Sequence, residues 1–144
     1  MVKVNFKKLD KNAHPPTSGA QFAAGADLYA LTGGETVRFA PGETKMIRTG
    51  LAVEIPEGYA GLIYARSGIA TKRGLAPANK VGVIDSDYRG EVMVSLHNHS
   101  GAEQEIADGE RSTACDSPVF SGGVLRSRRA FGYSTRRRRL WLNG

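Results

Sequence analysis

The chain has 144 residues, with 18 glycines, six prolines, one cysteine and a formal net charge of +6. That length suits one domain with a real core and is short for two. No apolar run approaches the roughly 20 residues of a membrane span, and the lone Cys115 excludes an internal disulfide and fits a reducing, cytoplasmic setting.

In chain order, "MVKVNFKKLDKNAHPP" lacks the apolar stretch of a secretory signal. "VKVNFKKL" alternates from Val2 and predicts a strand. "AAGADLYA" places Asp27 within a small-residue strand, where a buried, hydrogen-bonded structural role is open to it. "ETVRFA" predicts a strand that stops at Pro41–Gly42–Glu43, and "TKMIRTGLAVEI" predicts strand up to Pro56–Glu57–Gly58. "YAGLIYAR", "KVGVID", "GEVMVSLHN" and "EQEIADGE" follow as further short runs rich in β-branched or aromatic residues. No long amphipathic helix is expected before residue 112. Short strands at this spacing predict an all-β sandwich, jelly roll or barrel. His97 and His99 in "LHNHS" are one strand period apart. Without a third ligand nearby they read as polar positions on a strand face rather than as metal ligands.

Charge divides the chain. Residues 1–111 carry 13 basic and 13 acidic side chains, whereas residues 112–144 carry seven arginines against Asp116 alone. The whole net charge therefore lies in the C-terminal tail, which includes "STRRRRLWLNG" and the single tryptophan, Trp141. An arginine run beside an aromatic is the composition of a nucleic-acid-binding arm.

Two stretches carry the richest chemistry. In "ANKVGVIDSDYRGEV" an apolar strand delivers Asp85 to a turn made with Ser86 and Asp87, and Tyr88, Arg89 and Gly90 lead into the next strand. In "YARSGIATKRG" Arg66, Ser67 and Gly68 end a strand. They offer a planar guanidinium, a hydroxyl and approachable backbone amides, the means of holding an anion. Turn-forming aspartates and a solvated arginine would account for each stretch taken singly.

Taken in order, "GADLYA", "ARSGIA" and "NKVGVIDSDYRG", followed by "DGER" at residues 108–111, resemble the first four motifs of the trimeric deoxyuridine triphosphatases (dUTPases). The related deoxycytidine triphosphate deaminases share the fold, but "GVIDSDYRG" is the pyrophosphatase version. The resemblance covers almost all of residues 1–111. It implies a jelly-roll-like β-barrel assembling as a homotrimer, with active sites at subunit interfaces. It also implies hydrolysis of dUTP to dUMP and pyrophosphate, which keeps uracil out of DNA and supplies dUMP for thymidylate synthesis. By resemblance Asp85 is the general base, and Asn79 with the backbone of Val83, Ile84 and Asp85 reads uracil. Tyr88 packs on deoxyribose, Met93 lines the pocket, and Arg66, Ser67 and Gly68 hold phosphates. Mg²⁺ is carried mainly by triphosphate oxygens and water, and Asp27 touches that ion's site at most indirectly.

After Arg111 the pattern breaks. The family's fourth motif continues with a strand like Ile-Ala-Gln-Leu-Val, and its fifth is a Gly-rich loop bearing Arg and Phe; neither is present. With suitable codons, Ser112–Cys115 read one base later spell Ala-Gln-Leu-Val. In the same shifted frame, codons for Ser134 to the end spell Gln-Arg-Gly-Ala-Gly-Gly-Phe-Gly-Ser-Thr-Gly. The expectation is therefore a dUTPase-like β domain over 1–111 and an out-of-frame, irregular or disordered tail over 112–144, with impaired turnover. On this reading nucleic-acid binding by the tail is incidental. A catalytically dead dUTP-binding protein and a basic nucleic-acid-binding protein are the competing readings.

Overall fold

The computed structural model describes residues 4–19, 23 and 25–111. The tail over 112–144, with Cys115, Trp141 and the arginine run, lies outside the described residues, as do the expectations placed on it.

Eleven strands and one short helix make up the described chain. They are β1 (Asn5–Lys8), β2 (Thr17–Ser18), β3 (Ala26–Asp27), β4 (Val37–Phe39), β5 (Thr44–Arg48), β6 (Leu51–Glu54), β7 (Gly61–Ile63), α1 (Ser67–Arg73), β8 (Leu75–Pro77), β9 (Gly82–Ile84), β10 (Met93–Asn98) and β11 (Gln104–Ile106). Every pairing among them is antiparallel: β1 with β6, β2 with β3, β4 with β11, β7 with β9, and β10 between β5 and β8. The all-β expectation holds. Most of the connections between paired strands span distant parts of the sequence, as in a jelly roll rather than a simple meander.

The period-two pattern explains β10. Val94, Leu96 and Asn98 face inward, and Met93, Ser95 and His97 alternate with them. Leu96 lies among Phe39, Ile47, Leu51, Leu75 and Ile106 in one buried cluster. Asn98 is a polar side chain at a core position, and its hydrogen-bonding capacity is used. Its Nδ2 donates to the carbonyls of Phe39 at 3.0 Å and Ala102 at 2.8 Å, and its Oδ1 accepts from Ser100 N at 2.9 Å. A buried amide paired in this way ties β4, β10 and the 100–102 turn together without a desolvation penalty.

Turn residues break the longer runs. At Pro41–Gly42 the Glu43 N–H donates to Ala40 O at 3.0 Å with Gly42 at φ 76°, a type II turn with proline and glycine where that turn needs them. The Glu43 carboxylate accepts the Ala40 N–H, which holds its pKa below the ordinary glutamate range. "TKMIRTGLAVEI" is two strands, because Gly50 at φ 69° interrupts the run between β5 and β6. A Cβ on Gly50 would stand 2.7 Å from Ala13 Cβ and 2.7 Å from Leu31 Cδ2. Gly50→Ala therefore meets both a left-handed backbone and a filled space. It is expected to cost about 3 kcal/mol and to lower the melting temperature by about 10 °C. An unchanged melt would refute this packing.

One sequence expectation needs correction, and the structure adds features the sequence did not show. All four residues of β1 are exposed, because β1 pairs only with β6 and no described element covers either face. Arg66, Ser67 and Gly68 do not end a strand: β7 stops at Ile63, and Ser67 and Gly68 open α1. This helix has seven residues and buries only Ile69, too little for a helical period to show in sequence. Gly74 ends it in the left-handed conformation, its N–H donating to Ala70 O. β8, also unforeseen, includes Pro77, which a strand at the edge of its sheet accommodates.

Candidate active site

The β9 strand runs antiparallel to β7, with Val83 opposite Leu62 and Ile84 opposite Gly61. Gly82 and Ile84 point inward, while Val83 is 63 % exposed. Gly82 is needed here, since a Cβ on it would lie 3.1 Å from Ile63 Cβ and 3.3 Å from Asn79 Nδ2. Its absence of a side chain lets Asn79 come up against the strand. Lys80 holds the turn before β9 at φ 62°, the only positive φ at a non-glycine among the described residues. That conformation costs a side-chain-bearing residue about 1 kcal/mol. Its N–H donates to Pro77 O, and Val81 N–H donates to Asn79 O at 2.7 Å, closing the bend that presents Asn79.

Asp85 follows β9 directly and is exposed. The Tyr88 N–H donates to Asp85 O at 3.1 Å, closing a turn over Ser86 and Asp87. The Arg89 guanidinium donates to the Ser86 carbonyl at 2.7 Å and stiffens the same turn. Tyr88 folds back and donates its hydroxyl to Glu91 O at 2.8 Å.

Asn79, Val83, Ile84, Asp85, Tyr88 and Met93 line one cavity of about 220 Å³, together with Ile63, Gly82, Glu91 and Val92. Glu91 and Val92 were not foreseen from sequence, because nothing marks them apart from an ordinary strand start. Its lining combines apolar side chains with the amide of Asn79, the phenol of Tyr88 and the acidic residues Asp85 and Glu91. It is smaller than the ~300–1,000 Å³ usual for a drug-sized ligand, a space for one ring with its immediate substituent.

Arg66, Ser67, Gly68 and Asp27 do not line this cavity. They form a second cluster. Asp27, 4 % exposed, faces Arg66 Nε at 3.3 Å and Arg111 Nη1 at 3.8 Å. The Arg66 pairing falls short of hydrogen-bond geometry, so its attraction is chiefly coulombic. Arg66 Nη1 also donates to the Arg111 carbonyl at 2.8 Å. Backbone bonds join the same segments: Ala30 N to Glu110 O at 3.1 Å, and Gly109 N to Ala30 O at 2.9 Å. The Thr32 N–H, 2.6 Å from Asp108, holds that carboxyl below the usual aspartate range and fixes the start of "DGER". "GADLYA", "ARSGIA" and "DGER" are thus one unit, with Asp27 as its buried counter-charge.

The two histidines of "LHNHS" meet edge to face with ring centroids 4.3 Å apart, and His97 Nδ1 lies 2.8 Å from Thr44 Oγ1. No cluster of three or more His, Cys, Asp or Glu side chains occurs among the described residues. Asp27 does not suit a metal ligand, because arginines face both its oxygens. Mg²⁺ strongly retains water and favours phosphate oxygens. The donors present therefore fit an ion brought in with a triphosphate rather than held in a protein cage.

The fold thus sets one cavity beside the Asp85 turn and gathers Arg66 and Arg111 around Asp27 outside it. Comparison with known proteins identifies the class. The dUTPase family model matches residues 11–113, ending close to Arg111. A deoxyuridine 5'-triphosphate nucleotidohydrolase of Nautilia profundicola is 44 % identical over 125 residues, covering 86 % of each chain. One from Desulfitobacterium hafniense is 43 % identical over 123 residues, 84 % of this chain and 81 % of that one. Among solved structures, a mutant dUTPase from phage phi11 of S. aureus, described for its structural Mg(II) ion, superposes with a TM-score of 0.69. It is 25 % identical and covers 84 % of this chain and 94 % of its own. A Staphylococcus phage 80alpha dUTPase mutant with dUpNHpp gives a TM-score of 0.70 at 26 % identity, covering 85 % and 94 %. The chain belongs to the dUTPase family, and its fold is of that family's jelly-roll type.

Proposed function

We propose that this protein hydrolyses dUTP to dUMP and pyrophosphate, through the cavity at the Asp85 turn. The observation that carries the proposal is the convergence of Asn79, Val83, Ile84, Asp85, Tyr88 and Met93 on one cavity of about 220 Å³. Asn79 and the exposed backbone of β9 supply donors and acceptors to the edge of uracil. The Tyr88 ring flanks the sugar and leaves no room for a 2′-hydroxyl. Asp85, at the rim, accepts a hydrogen bond from one water and orients it toward the α-phosphorus. A new P–O bond forms as the bond from the α-phosphorus to the bridging oxygen breaks. Asp85 takes the water's proton, and pyrophosphate leaves. Mg²⁺ bound to the triphosphate would neutralise its charge.

Arg66, Ser67 and Gly68 suit the phosphates but stand outside this cavity in the same chain. That separation favours a homotrimer in which one subunit's Arg66 cluster meets the neighbour's Asp85 turn. Residues 1–111 carry both half-sites, and residues 112–144 replace the closing loop, so turnover by the present chain is low. No helix among the described residues is long and apolar enough to cross a membrane, and dUTP hydrolysis suits the cytoplasm. The seven tail arginines attract nucleic acid only through counterion release, steeply weakened by salt.

Binding should show the selectivity even where turnover is slow. Titrating the full chain with a non-hydrolysable dUTP analogue, UTP and dTTP is expected to give weak binding of the first and at least about tenfold weaker binding of the others. Comparable affinity for dUTP and UTP would overturn the proposal.

A further inference from the structure

Glu91 lines the cavity, yet its side chain is only 16 % exposed. Its carboxylate is fully engaged away from the cavity. Arg48 Nε donates to both oxygens at 3.1 Å, and the Gly50 N–H donates to Oε1 at 2.8 Å. The main-chain carbonyl of the same residue accepts the Tyr88 hydroxyl at 2.8 Å. Glu91 thus joins the Tyr88 ring to the Gly50 break between β5 and β6. Val92 continues the fastening: its N–H donates to Leu51 O at 2.7 Å, and its carbonyl accepts the Thr49 hydroxyl at 2.6 Å.

The Tyr88 ring has little freedom within this clamp. A Cβ on Gly90 would lie 2.6 Å from its hydroxyl oxygen and 2.8 Å from Cζ, so the ring folds directly across that glycine. Gly50 is fixed by its own crowding against Ala13 and Leu31. A hydrogen bond from so rigid a donor transmits position. The exposed Arg48 pair adds little by itself. A Gly50 N–H left without its acceptor is the larger loss.

We propose that Glu91 is a positioning residue that sets the protein's discrimination between deoxyribose and ribose. Its carboxylate anchors the backbone from which the carbonyl holds Tyr88, and the ring's placement decides whether a 2′-hydroxyl fits. The inference rests on the cavity being the dUTP site. Removing the anchor lets the turn after β9 relax, admitting ribonucleotide more than it weakens deoxyribonucleotide.

The full chain and its Glu91→Ala, Glu91→Gln and Tyr88→Phe variants test this by two readouts. One is amide hydrogen exchange at Tyr88 without ligand. The other is the ratio of UTP to non-hydrolysable dUTP dissociation constants. Glu91→Ala is expected to speed Tyr88 amide exchange on the order of tenfold and to lower the ratio about tenfold, mainly through tighter UTP binding. Glu91→Gln keeps an oxygen for the Gly50 N–H and should recover most of both. Tyr88→Phe, which loses only the bond to the Glu91 carbonyl, should lower the ratio in the same direction. A folded Glu91→Ala protein with wild-type exchange and ratio overturns the inference. Should Glu91→Ala not fold, an unchanged ratio in Tyr88→Phe overturns it. Failure of the wild-type chain to bind dUTP overturns the site reading instead, while the ligand-free exchange still decides whether Glu91 holds the turn.

Discussion

Replacing Asp85 by Asn is expected to lower the rate of dUTP hydrolysis about a thousandfold while leaving the fold intact. Asn keeps the shape of the side chain but cannot accept the proton of the attacking water. Asp85 sits exposed at the end of β9, and the turn that follows is closed by its main-chain carbonyl, not its carboxylate. Its side chain is therefore dispensable to the turn, and the melting temperature should change little, within about 0.5 kcal/mol of stability. Affinity for a non-hydrolysable dUTP analogue should fall much less than the rate. Pyrophosphate release measured on both proteins at saturating dUTP checks this. An unchanged rate would remove Asp85 from the role of base.

The second large effect concerns residues 112–144. A chain carrying the alternative frame from codon 112 onward should gain turnover by about a hundredfold or more, since phosphate positioning supplies much of phosphoryl-transfer catalysis. The restored strand beginning Ala-Gln-Leu-Val would regain an alternating apolar face. The restored loop, with its arginine, glycines and phenylalanine, could close over base and γ-phosphate and exclude water. The arginine run would disappear, and the net charge would fall well below the present +6. Both versions should be compared by thermal melt, sedimentation and pyrophosphate release, beside resequencing of the coding DNA across codons 108–116. If the present chain equals the altered one in all three, its tail is an evolved C-terminus and the frame agreement is a coincidence of codon choice.

Turns and strands were legible wherever a local rule governs them. Proline and glycine at Pro41–Gly42 specify their turn from two residues alone. The inward set Val94, Leu96 and Asn98 follows from period two. Helix α1 was not legible, because seven residues with one buried side chain carry no period. Nor was the exposure of β1, which depends on what packs beside it.

The site divides in the same way. Residues 79–93 are nearly contiguous, so β9, the turn after it and the start of β10 gather them and the sequence shows them together. The Asp27–Arg66–Arg111 cluster joins three segments far apart in the chain, and only the fold shows that it stands away from Asp85. Glu91 was illegible for a different reason. Its importance lies in accepting a backbone N–H from Gly50, a bond that leaves no mark on residue type.

The central claim is that water oriented by Asp85 attacks the α-phosphorus of dUTP. Hydrolysis in ¹⁸O-labelled water, with the products weighed by mass spectrometry, tests it most directly. The account predicts one ¹⁸O in dUMP, none in pyrophosphate, and loss of both products' formation in Asp85→Asn. Label in pyrophosphate, or in inorganic phosphate released alongside dUDP, would contradict it.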